Sequence, residues 1–272
     1  MDQTTPSDIR HFRDARIRHD VSCTIITFNE ADRVRRCIES VRGIASEIVV
    51  VDSGSTDGTQ EICRSLGARV IHNPWPGYGP QKRFAEDAAS HDWIFNLDAD
   101  EWLSDGLRAE LISILGQPIS PGVHGFRFHI KTVYPGAAKP RLWADEHNYV
   151  RLYNKRACRF PDSLVHDEVK PAKPNRVQVR QPIYHETIRS ISHLIEKNIR
   201  YFKLQKREIP KNPALVLIRV PFEYIFTLFK YYFVRRHFTG GIYGFALAST
   251  IAYLRTYRLL ILGFGEKSEG NR

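Results

Sequence analysis

Near the middle of the chain an apolar run ends abruptly on acidic side chains. Trp93, Ile94 and Phe95 lead into the sequence Asn96-Leu97-Asp98-Ala99-Asp100-Glu101. A buried strand that ends in this way delivers negative charge to the carboxyl edge of a sheet, where open α/β folds bind ligands. Hard oxygen ligands at alternating positions suit Mg²⁺ or Mn²⁺. The alternative is a solvated acidic loop that caps a helix starting near Ser104.

From residue 21 onward, short β-rich runs alternate with longer amphipathic runs. The predicted strands are 21–26, 47–51, 68–72 and 93–97, and the predicted helices are 31–41, 59–66, 81–89 and 107–115. Alternation of this kind predicts an α/β fold with a mainly parallel sheet and helices on both faces.

The pattern changes after residue 117. Three further strands, 125–130, 149–154 and 177–183, are predicted to extend the sheet, and helical periodicity returns in 191–207, 214–234 and 242–262. The sequence therefore predicts a polar N-terminal arm at 1–20, an α/β domain at 21–189 and a helical region at 190–272. The α/β domain divides into halves at 21–117 and 118–189.

The chain is basic, with 40 Lys and Arg against 30 Asp and Glu, and a formal net charge of +10. This charge predicts a polyanionic partner, which is a nucleic acid, an anionic membrane surface or a phosphorylated substrate. The four cysteines show no C-x-x-C spacing and indicate a reducing compartment. The start of the chain contains no secretory signal pattern, so a cytoplasmic location is expected.

Two aromatic-rich segments near the C-terminus bear on membrane association. Segment 214–234 is interrupted by Arg219 and Lys230, and segment 242–262 carries Arg255 and Arg258. A bilayer span needs about 20 apolar residues, and each buried Arg or Lys costs ~2.5–3.5 kcal/mol, so spanning is not expected. Bulky apolar residues interleaved with basic ones favour helices in the interface of an anionic membrane. The alternative is packing on the domain or a dimer face.

Polar loops follow the first two predicted strands as well. They are Thr27-Phe28-Asn29-Glu30 and Asp52-Ser53-Gly54-Ser55-Thr56-Asp57-Gly58-Thr59. Hydroxyl, amide and carboxylate groups there suit a nucleoside, and the small residues of the second loop permit close backbone approach. Together with Asp98 and Asp100, the loops predict a site for a nucleoside diphosphate with its own metal. Ordinary strand-to-helix turns are the alternative.

Three motifs of the first half of the chain occur together. They are Thr27-x-Asn29-Glu30, then Val49-Val50-Val51-Asp52-Ser53-Gly54-Ser55-x-Asp57-Gly58-Thr59, then Asp98-x-Asp100. The combination strongly resembles glycosyltransferase family 2, which has the GT-A fold. Two segments resemble, more narrowly, the bacterial lipopolysaccharide core transferases that add glucose to heptose. These segments are Trp75-x-Gly77-Tyr78-Gly79-x-Gln81-Lys82 and Asp98-Ala99-Asp100-Glu101-Trp102.

The resemblance implies a nucleotide-sugar donor, a divalent metal, Mg²⁺ or Mn²⁺, and inversion at the anomeric carbon. It makes 21–117 the nucleotide-binding half, 118–189 the acceptor half and 190–272 a membrane-associating region. The implied donor-binding residues are Thr27, Asn29, Glu30, Asp52, Ser53, Gln81, Lys82 and Asp98. Arg83 is a further candidate for contact with the nucleotide. Lys82 and Arg83 lie on a predicted helix, so the alternative for both is a solvated position.

Inversion by single displacement needs a base that takes the proton of the acceptor hydroxyl. The segment Val165-His166-Asp167-Glu168 resembles a Val-His-Glu segment of related transferases, and leaves the base open between Asp167 and Glu168. The metal ligands are predicted to be Asp98 and Asp100, with His166 as a third ligand or else a structural histidine. Arg151, Tyr153 and Trp143 are candidates for lining an acceptor pocket, whereas His185 is expected to cap or pack.

The resemblance therefore implies an inverting, metal-dependent glycosyltransferase that moves a hexose, with glucose from UDP-glucose as the first candidate, to a lipopolysaccharide-core or other lipid-linked saccharide. It is expected to be peripheral on the cytoplasmic face of the bacterial inner membrane, to bind an anionic membrane surface and to bind no nucleic acid. One alternative is a sugar-phosphate nucleotidyltransferase, which needs a Gly-rich loop with Arg after the first strand. The other is a non-enzymatic basic protein that binds membranes or nucleic acid through charge, which leaves the clustered carboxylates unexplained.

Overall fold

The computed structural model of the chain describes residues 19–163, 168–208 and 212–264, except for the side chains at positions 200 and 203–208. The predicted N-terminal arm therefore lies almost wholly outside the described residues. Within the described part the chain forms two compact units. The first contains the residues up to Lys131 together with Glu146–His185, and the second contains Thr132–Asp145 together with the residues from Glu186 onward.

The described residues of the first unit form one mixed sheet in the order β3-β2-β1-β4-β7-β6-β9-β5, with β8 beside β6. The strands are β1 (Val21–Thr27), β2 (Glu47–Asp52), β3 (Arg69–His72), β4 (Trp93–Asp98), β5 (Glu101–Leu103), β6 (Gly125–Thr132), β7 (Glu146–Asn154), β8 (Arg176–Gln178) and β9 (Ile183–His185). Strands β1 to β4 pair in parallel, whereas β7 joins β4 and β6 antiparallel. The predicted α/β fold class is confirmed.

Helices cover both faces of the parallel half of this sheet. They are α1 (Val34–Val41), α2 (Thr59–Ser65), α3 (Tyr78–Ala88) and α4 (Asp105–Leu115). On β2, Val50 packs in the cluster that contains the buried face of α1, whereas Val49 and Val51 pack with Ala85 of α3. Because neighbouring residues of a strand point to opposite faces, α1 and α3 lie on opposite sides of the sheet.

The apolar periodicity of α1 explains why this segment is helical. The helix buries Val34, Cys37, Ile38 and Val41, which is the i, i+3, i+4, i+7 spacing of one helix face. The adjacent strand β1 is buried along almost its whole length, as expected for a central parallel strand. Cys37 is a free thiol in this core, and burial raises its pKa well above the ordinary value.

One sequence-based strand assignment is wrong. The predicted strand 177–183 is two short strands, β8 and β9, because Pro182 has no N–H for a ladder, and the N–H groups of Arg180 and Gln181 donate to the Glu110 carboxylate at 3.0 and 2.9 Å. Strand β5 was not predicted at all. It pairs antiparallel with β9, which places Glu101 opposite His185.

The second unit is helical. Its helices are α5 (Ile191–Glu208), α6 (Pro213–Phe229) and α7 (Gly241–Phe264), with a π-helical turn at Lys230–Val234 and a 3₁₀ turn at His237–Gly240 between the last two. Within this unit, Arg141 donates to the carbonyls of Arg235 and Arg236 at 2.9 and 3.0 Å and pairs with Asp145 at 3.2 Å. These contacts fix the segment Thr132–Asp145 on the turn that follows α6.

Among the described residues, the stretch His237–Phe264 is long and apolar enough to cross a bilayer, judged by length and composition alone. One third of its apolar window, 33%, is buried within the protein. Core helices of soluble proteins have the same properties, so the expectation that no segment spans the membrane stays a prediction.

Candidate active site

Three strand ends lie side by side at the carboxyl edge of the parallel sheet. The register of β1 and β2 places Thr27 opposite Asp52, and the register of β1 and β4 places Ile26 opposite Asp98. The loops that follow β1, β2 and β4 therefore begin at one edge. This is the edge at which open α/β sheets bind ligands.

Asp52 organises the loop that follows β2. One carboxylate oxygen accepts hydrogen bonds from the N–H groups of Gly54 and Ser55 at 3.0 and 2.8 Å and from Gln60 Nε2 at 2.7 Å. The other accepts from the hydroxyls of Thr27 at 2.8 Å and Ser55 at 2.5 Å. Burial raises the pKa of Asp52, but these hydrogen bonds outweigh it and lower the pKa. Both oxygens are thus engaged in holding the loop.

The loop after β1 is joined to the loop after β2. Asn29 adopts a left-handed backbone with φ 56°, which asparagine tolerates better than most residues. Its side-chain oxygen accepts from the N–H of Thr56 at 2.9 Å, and its own N–H donates to Ser55 Oγ at 2.8 Å. The N–H of Glu30 donates to Thr59 Oγ1 at 2.8 Å. These bonds fix the two loops to each other.

Gln81 supports the loop that follows β2. It is fully buried near the start of α3, and its Nε2 donates to Ser53 Oγ at 3.0 Å and to the carbonyl of Asn73 at 3.2 Å. Its Oε1 accepts from Asn73 Nδ2 at 2.6 Å. The side chain therefore connects α3 to the ends of β2 and β3, and the predicted contact of Gln81 with the nucleotide stays a prediction.

Asp98, at the end of β4, is held by two cations. Lys82 Nζ lies 3.0 Å from its Oδ1, and Arg151 Nη2 lies 2.9 Å from its Oδ2. The Lys82 side chain is 1% exposed and the Arg151 side chain 8%, so both charges are removed from bulk water. Burial raises the pKa of Asp98, but the charges of Lys82, Arg151 and His185 outweigh it and lower the pKa.

Arg151, on β7, gathers three side chains of the acidic segment. Besides Asp98, it donates to Asn96 Oδ1 at 3.1 Å and to Glu101 Oε1 at 2.5 Å. Glu101 is buried, and its other oxygen accepts from the N–H of Asp98 at 3.0 Å. Burial raises the pKa of Glu101, and the Arg151 charge offsets this only in part. Arg151 therefore connects β7 to the acidic segment at the end of β4.

Asp100 faces a different pair of partners. Its Oδ1 lies 3.1 Å from His185 Nε2, and its Oδ2 lies 3.3 Å from Arg33 Nη1. Arg33 is itself held by Glu30 Oε2 at 2.6 Å. Burial lowers the pKa of His185, but the hydrogen bond to Asp100 and the neighbouring acidic charges outweigh it and raise the pKa to about 8.

Asp100 and His185 fit the donor set of a divalent cation. A carboxylate oxygen and an imidazole nitrogen 3.1 Å apart, on side chains that are 19% and 22% exposed, can be reached from solvent and suit Mn²⁺. Mg²⁺ also commonly takes one or two protein ligands and completes its shell with water and substrate phosphate. In the described part of the chain no group of three or more His, Cys, Asp or Glu side chains is placed to share an ion. His166 lies outside that part.

The base candidates remain open. Asp167, like His166, lies outside the described residues. Glu168 is described, and its Oε2 lies 3.1 Å from Lys170 Nζ, on a side chain that is 34% exposed. The choice between Asp167 and Glu168 therefore stays a prediction from the sequence.

Comparison with known sequences decides the family. The family profile of glycosyl transferase family 2 matches residues 22–181, which include the carboxyl ends of β1, β2 and β4. The chain belongs to glycosyltransferase family 2. The predicted resemblance and the predicted glycosyltransferase class are thereby confirmed.

Relatives of this transferase match over most of its length. An "Uncharacterized glycosyltransferase" of Rickettsia bellii is 37% identical over 250 residues, covering 88% of this chain and 84% of the relative. The "Lipopolysaccharide core biosynthesis glycosyltransferase LpsC" of Rhizobium meliloti is 31% identical over 241 residues, covering 85% of each. A solved structure of glucosyl-3-phosphoglycerate synthase from Mycobacterium tuberculosis, in complex with Mg²⁺ and UDP, is 25% identical, with 51% of this chain and 50% of that chain covered. The TM-score between the two structures is 0.35.

Sequence reasoning missed three residues of the transferase's site. Arg33 had no signal, because a lone arginine at a helix start resembles a solvated residue. Glu101 was seen only as part of an acidic run. His185 was expected to cap or pack, and a signal for it would have required the antiparallel pairing of β5 with β9.

Gly79 of the transferase lies against the segment that precedes the base candidates. Its N–H donates to the carbonyl of Ser163 at 3.0 Å, and a Cβ at Gly79 would lie 2.3 Å from the carbonyl oxygen of Pro161 and 2.5 Å from that of Ser163. Main-chain oxygens cannot move away as a flexible side chain can. The glycine is therefore required for this close approach of α3 to residues 161–163.

We expect Gly79→Ala to lower the free energy of unfolding by about 1–3 kcal/mol, because the added methyl forces the two segments apart. Urea denaturation followed by circular dichroism measures this. Gly122→Ala is the matched control, since a Cβ there meets nothing within 4 Å. Equal stability of both variants would show that residues 161–163 do not pack on α3 as described.

Proposed function

We propose that this family 2 glycosyltransferase moves a hexose, glucose first among the candidates, from a UDP-sugar to a lipopolysaccharide-core or other lipid-linked saccharide, with inversion. The observation that carries the proposal is the arrangement at the carboxyl edge of β1, β2 and β4. There Lys82 and Arg151 form ion pairs with Asp98, and Asp100 lies beside His185. The arrangement combines buried cations with a donor set for a divalent metal.

The departing nucleoside diphosphate gains negative charge as the donor's bond between the anomeric carbon and the diphosphate oxygen breaks. Lys82 and Arg151 are fixed in place before the donor arrives, because each is paired with Asp98 and is almost fully buried. Preorganised charges in a site of low dielectric stabilise developing charge far better than water does. A divalent cation held by Asp100 and His185 would supply further charge neutralisation to the diphosphate.

The loops after β1 and β2 are proposed to receive the nucleoside. Their polar side chains already bond to one another, so the loops present main-chain groups and small residues in a fixed shape. Rigid loops of this kind bind a ligand without a large ordering cost. Among the polar residues of these loops, Asn29, Glu30, Ser53 and Ser55 are partly exposed.

The acceptor is proposed to be a saccharide that is attached to lipid. The relative LpsC of Rhizobium meliloti is named for lipopolysaccharide core biosynthesis and matches 85% of this chain. This relationship, and the segments that resemble core heptose glucosyltransferases, support the acceptor class. Membership in family 2 leaves no support for the nucleotidyltransferase and for the non-enzymatic binding protein.

Inversion places the base on the face of the sugar opposite the leaving diphosphate. Asp167 or Glu168 is proposed to take the proton of the acceptor hydroxyl while its oxygen attacks the anomeric carbon. General-base catalysis by a placed carboxylate contributes typically about 10²–10⁴-fold to the rate. Residues 161–163, which precede the base candidates in the chain, lie against α3, where the Gly79 N–H donates to the carbonyl of Ser163.

The test is transfer of labelled glucose from UDP-glucose to lipopolysaccharide with a truncated core, with the anomeric configuration of the product read by NMR. Of Asp167→Asn and Glu168→Gln, one is expected to lower kcat by about 10²–10⁴-fold without weakening UDP binding, because it removes the base alone. Asp162→Asn is the matched control, an exposed carboxylate of the same segment.

Two outcomes would contradict the proposal. Full turnover by both Asp167→Asn and Glu168→Gln would remove the base assignment. Retention of the anomeric configuration would remove single displacement altogether.

A further inference from the structure

Helix α6 carries a continuous apolar face that the described residues leave uncovered. Leu215, Ile218, Phe222, Ile225, Phe226 and Phe229 are each between 57% and 76% exposed. At 100° per residue these six side chains fall within an arc of about 100°, which is one face of the helix. We call them the apolar face of α6. Soluble proteins rarely expose contiguous apolar surface of this extent, and such surface marks a partner or a membrane.

The other side of α6 is packed, so the orientation of the apolar face is fixed. Within α6, all of which is described, the buried side chains are Val216 and Thr227. Val216 packs directly on Gly263 of α7, where an added Cβ would lie 3.0 Å from its Cγ2. The helix is therefore anchored by the side that faces α7, and the apolar face points away from that contact.

Charge on α6 does not oppose insertion into an apolar phase. Its two charged residues, Arg219 and Glu223, are one turn apart and pair with each other at 2.8 Å. The pair contributes no net charge to the helix, and it lies beside the apolar face instead of within it. A neutral pair at the margin of the face can remain at the polar boundary of a bilayer.

A basic and aromatic rim follows the apolar face. Lys230, Arg235 and Arg236 are exposed in the turn after α6, although Arg235 also contacts Asp145 at 3.3 Å. Within the same unit the Arg236 guanidinium lies 5.4 Å from the ring of Trp143, which is 55% exposed. Tryptophan and arginine side by side are typical of the headgroup region of membranes.

The sequence around this surface is strongly basic. Between residues 213 and 264 the chain carries one acidic residue, Glu223, and six basic residues, Arg219, Lys230, Arg235, Arg236, Arg255 and Arg258. Anionic lipid headgroups complement this charge. A second copy of the chain would bring the same basic rim to the interface and would leave it without counter-charge.

We propose that the apolar face of α6 inserts into the headgroup and acyl boundary of an anionic membrane leaflet, with Lys230, Arg236 and Trp143 at the lipid headgroups. The helix lies in the plane of the surface and does not cross the bilayer. This inference rests on the second unit alone and is independent of the donor and acceptor assigned above. It gives the membrane association expected from the sequence a defined surface.

Vesicle co-sedimentation of the full chain tests the proposal. The wild-type protein is expected to sediment with vesicles of phosphatidylcholine and phosphatidylglycerol, and binding is expected to weaken with salt and on pure phosphatidylcholine. Phe226→Glu is expected to lower the partition coefficient by on the order of tenfold or more. Leu217→Glu is the matched control, because Leu217 is 61% exposed on the same helix but lies outside the apolar face.

Depth of insertion is read from Phe226→Trp, whose fluorescence is expected to be quenched by brominated acyl chains. Four outcomes would overturn the proposal. The first is wild-type protein that stays in the supernatant, and the second is an equal loss of vesicle binding in Leu217→Glu and Phe226→Glu. The third is protein that resists extraction by alkaline carbonate as a spanning protein does, and the fourth is a lipid-free dimer that Phe226→Glu dissociates without changing vesicle binding. Thermal unfolding of each variant confirms that the fold is intact.

Discussion

Asp98→Ala and Asp100→Ala are expected to differ in their effect on stability although the two residues are only two positions apart. Asp98→Ala should lower the free energy of unfolding by about 3 kcal/mol, because it removes the carboxylate that pairs with the buried cations of Lys82 and Arg151. This loss of stability lies at the lower end of the range for a broken buried ion pair, because the Asp98 side chain is 30% exposed. Transfer activity should be lost as well.

Asp100→Ala should leave the free energy of unfolding within about 1 kcal/mol of wild type, because the partners that it releases, Arg33 and His185, keep other acidic neighbours. Metal-dependent UDP binding should nevertheless be abolished, because one of the two proposed metal donors is gone. Urea denaturation and calorimetric titration of UDP with Mn²⁺ measure the two effects separately.

Asp98→Asn is the control for shape, since it keeps the size of the side chain and removes its charge. Equal stability of Asp98→Ala and wild type would show that the ion pairs with Lys82 and Arg151 do not hold the site together. Intact metal-dependent binding by Asp100→Ala would remove Asp100 from the metal site.

The second large effect separates two histidines. His185→Ala is expected to weaken Mn²⁺ binding in the presence of UDP by on the order of 10–100-fold or more, since even an outer-shell partner of a metal ligand contributes this much. The reason is geometric: His185 Nε2 is 3.1 Å from Asp100 Oδ1, on the strand that pairs with β5. His166, which the sequence predicts as a third metal ligand, lies outside the described residues, and His166→Ala tests that prediction in the same measurement.

Free Mn²⁺ is counted by its electron paramagnetic resonance signal, which does not depend on turnover. His193→Ala is a suitable control for the loss of an imidazole, because His193 is an exposed residue of α5. Wild-type Mn²⁺ affinity in His185→Ala would remove His185 from the metal site, and a loss of affinity in His166→Ala would support the ligand predicted from the sequence.

The parallel half of the fold was predictable because it is encoded locally. Strands β1, β2 and β3 are short β-rich runs, each followed by a helix, and β4 is an apolar run that ends on carboxylates; patterns of this kind are visible within a short window. The polar residues at the ends of β1, β2 and β4 follow from the same reading, since parallel strands end at a common edge. Thr27, Asp52 and Asp98 were named for this reason.

The antiparallel half was less predictable because it depends on contacts between distant residues. Strand β5 has three residues, and its partner β9 lies about 80 positions later, at Ile183–His185. A single apolar pair such as Trp102 and Leu103 carries no signal for such a pairing. The role of His185 depended on this contact, so it was not visible.

Burial also redistributed roles among residues that the sequence did identify. Asp52 looked free to bind a nucleoside, yet five donors of the protein occupy its carboxylate. Lys82 had two readings, a nucleotide contact or a solvated helix residue, and its 1% exposure excludes the solvated one. Local patterns name charged residues at a site, but they do not show which oxygen or ammonium is already paired.

The most direct test of the account is calorimetric titration of the wild-type protein with a panel of nucleotide sugars, with and without Mn²⁺. UDP-sugars, UDP-glucose among them, are expected to bind, and removal of Mn²⁺ is expected to weaken the binding at least tenfold, or by about 1.4 kcal/mol. Binding of no nucleotide sugar by the folded protein in the presence of Mn²⁺ would contradict the proposed donor and the assigned site.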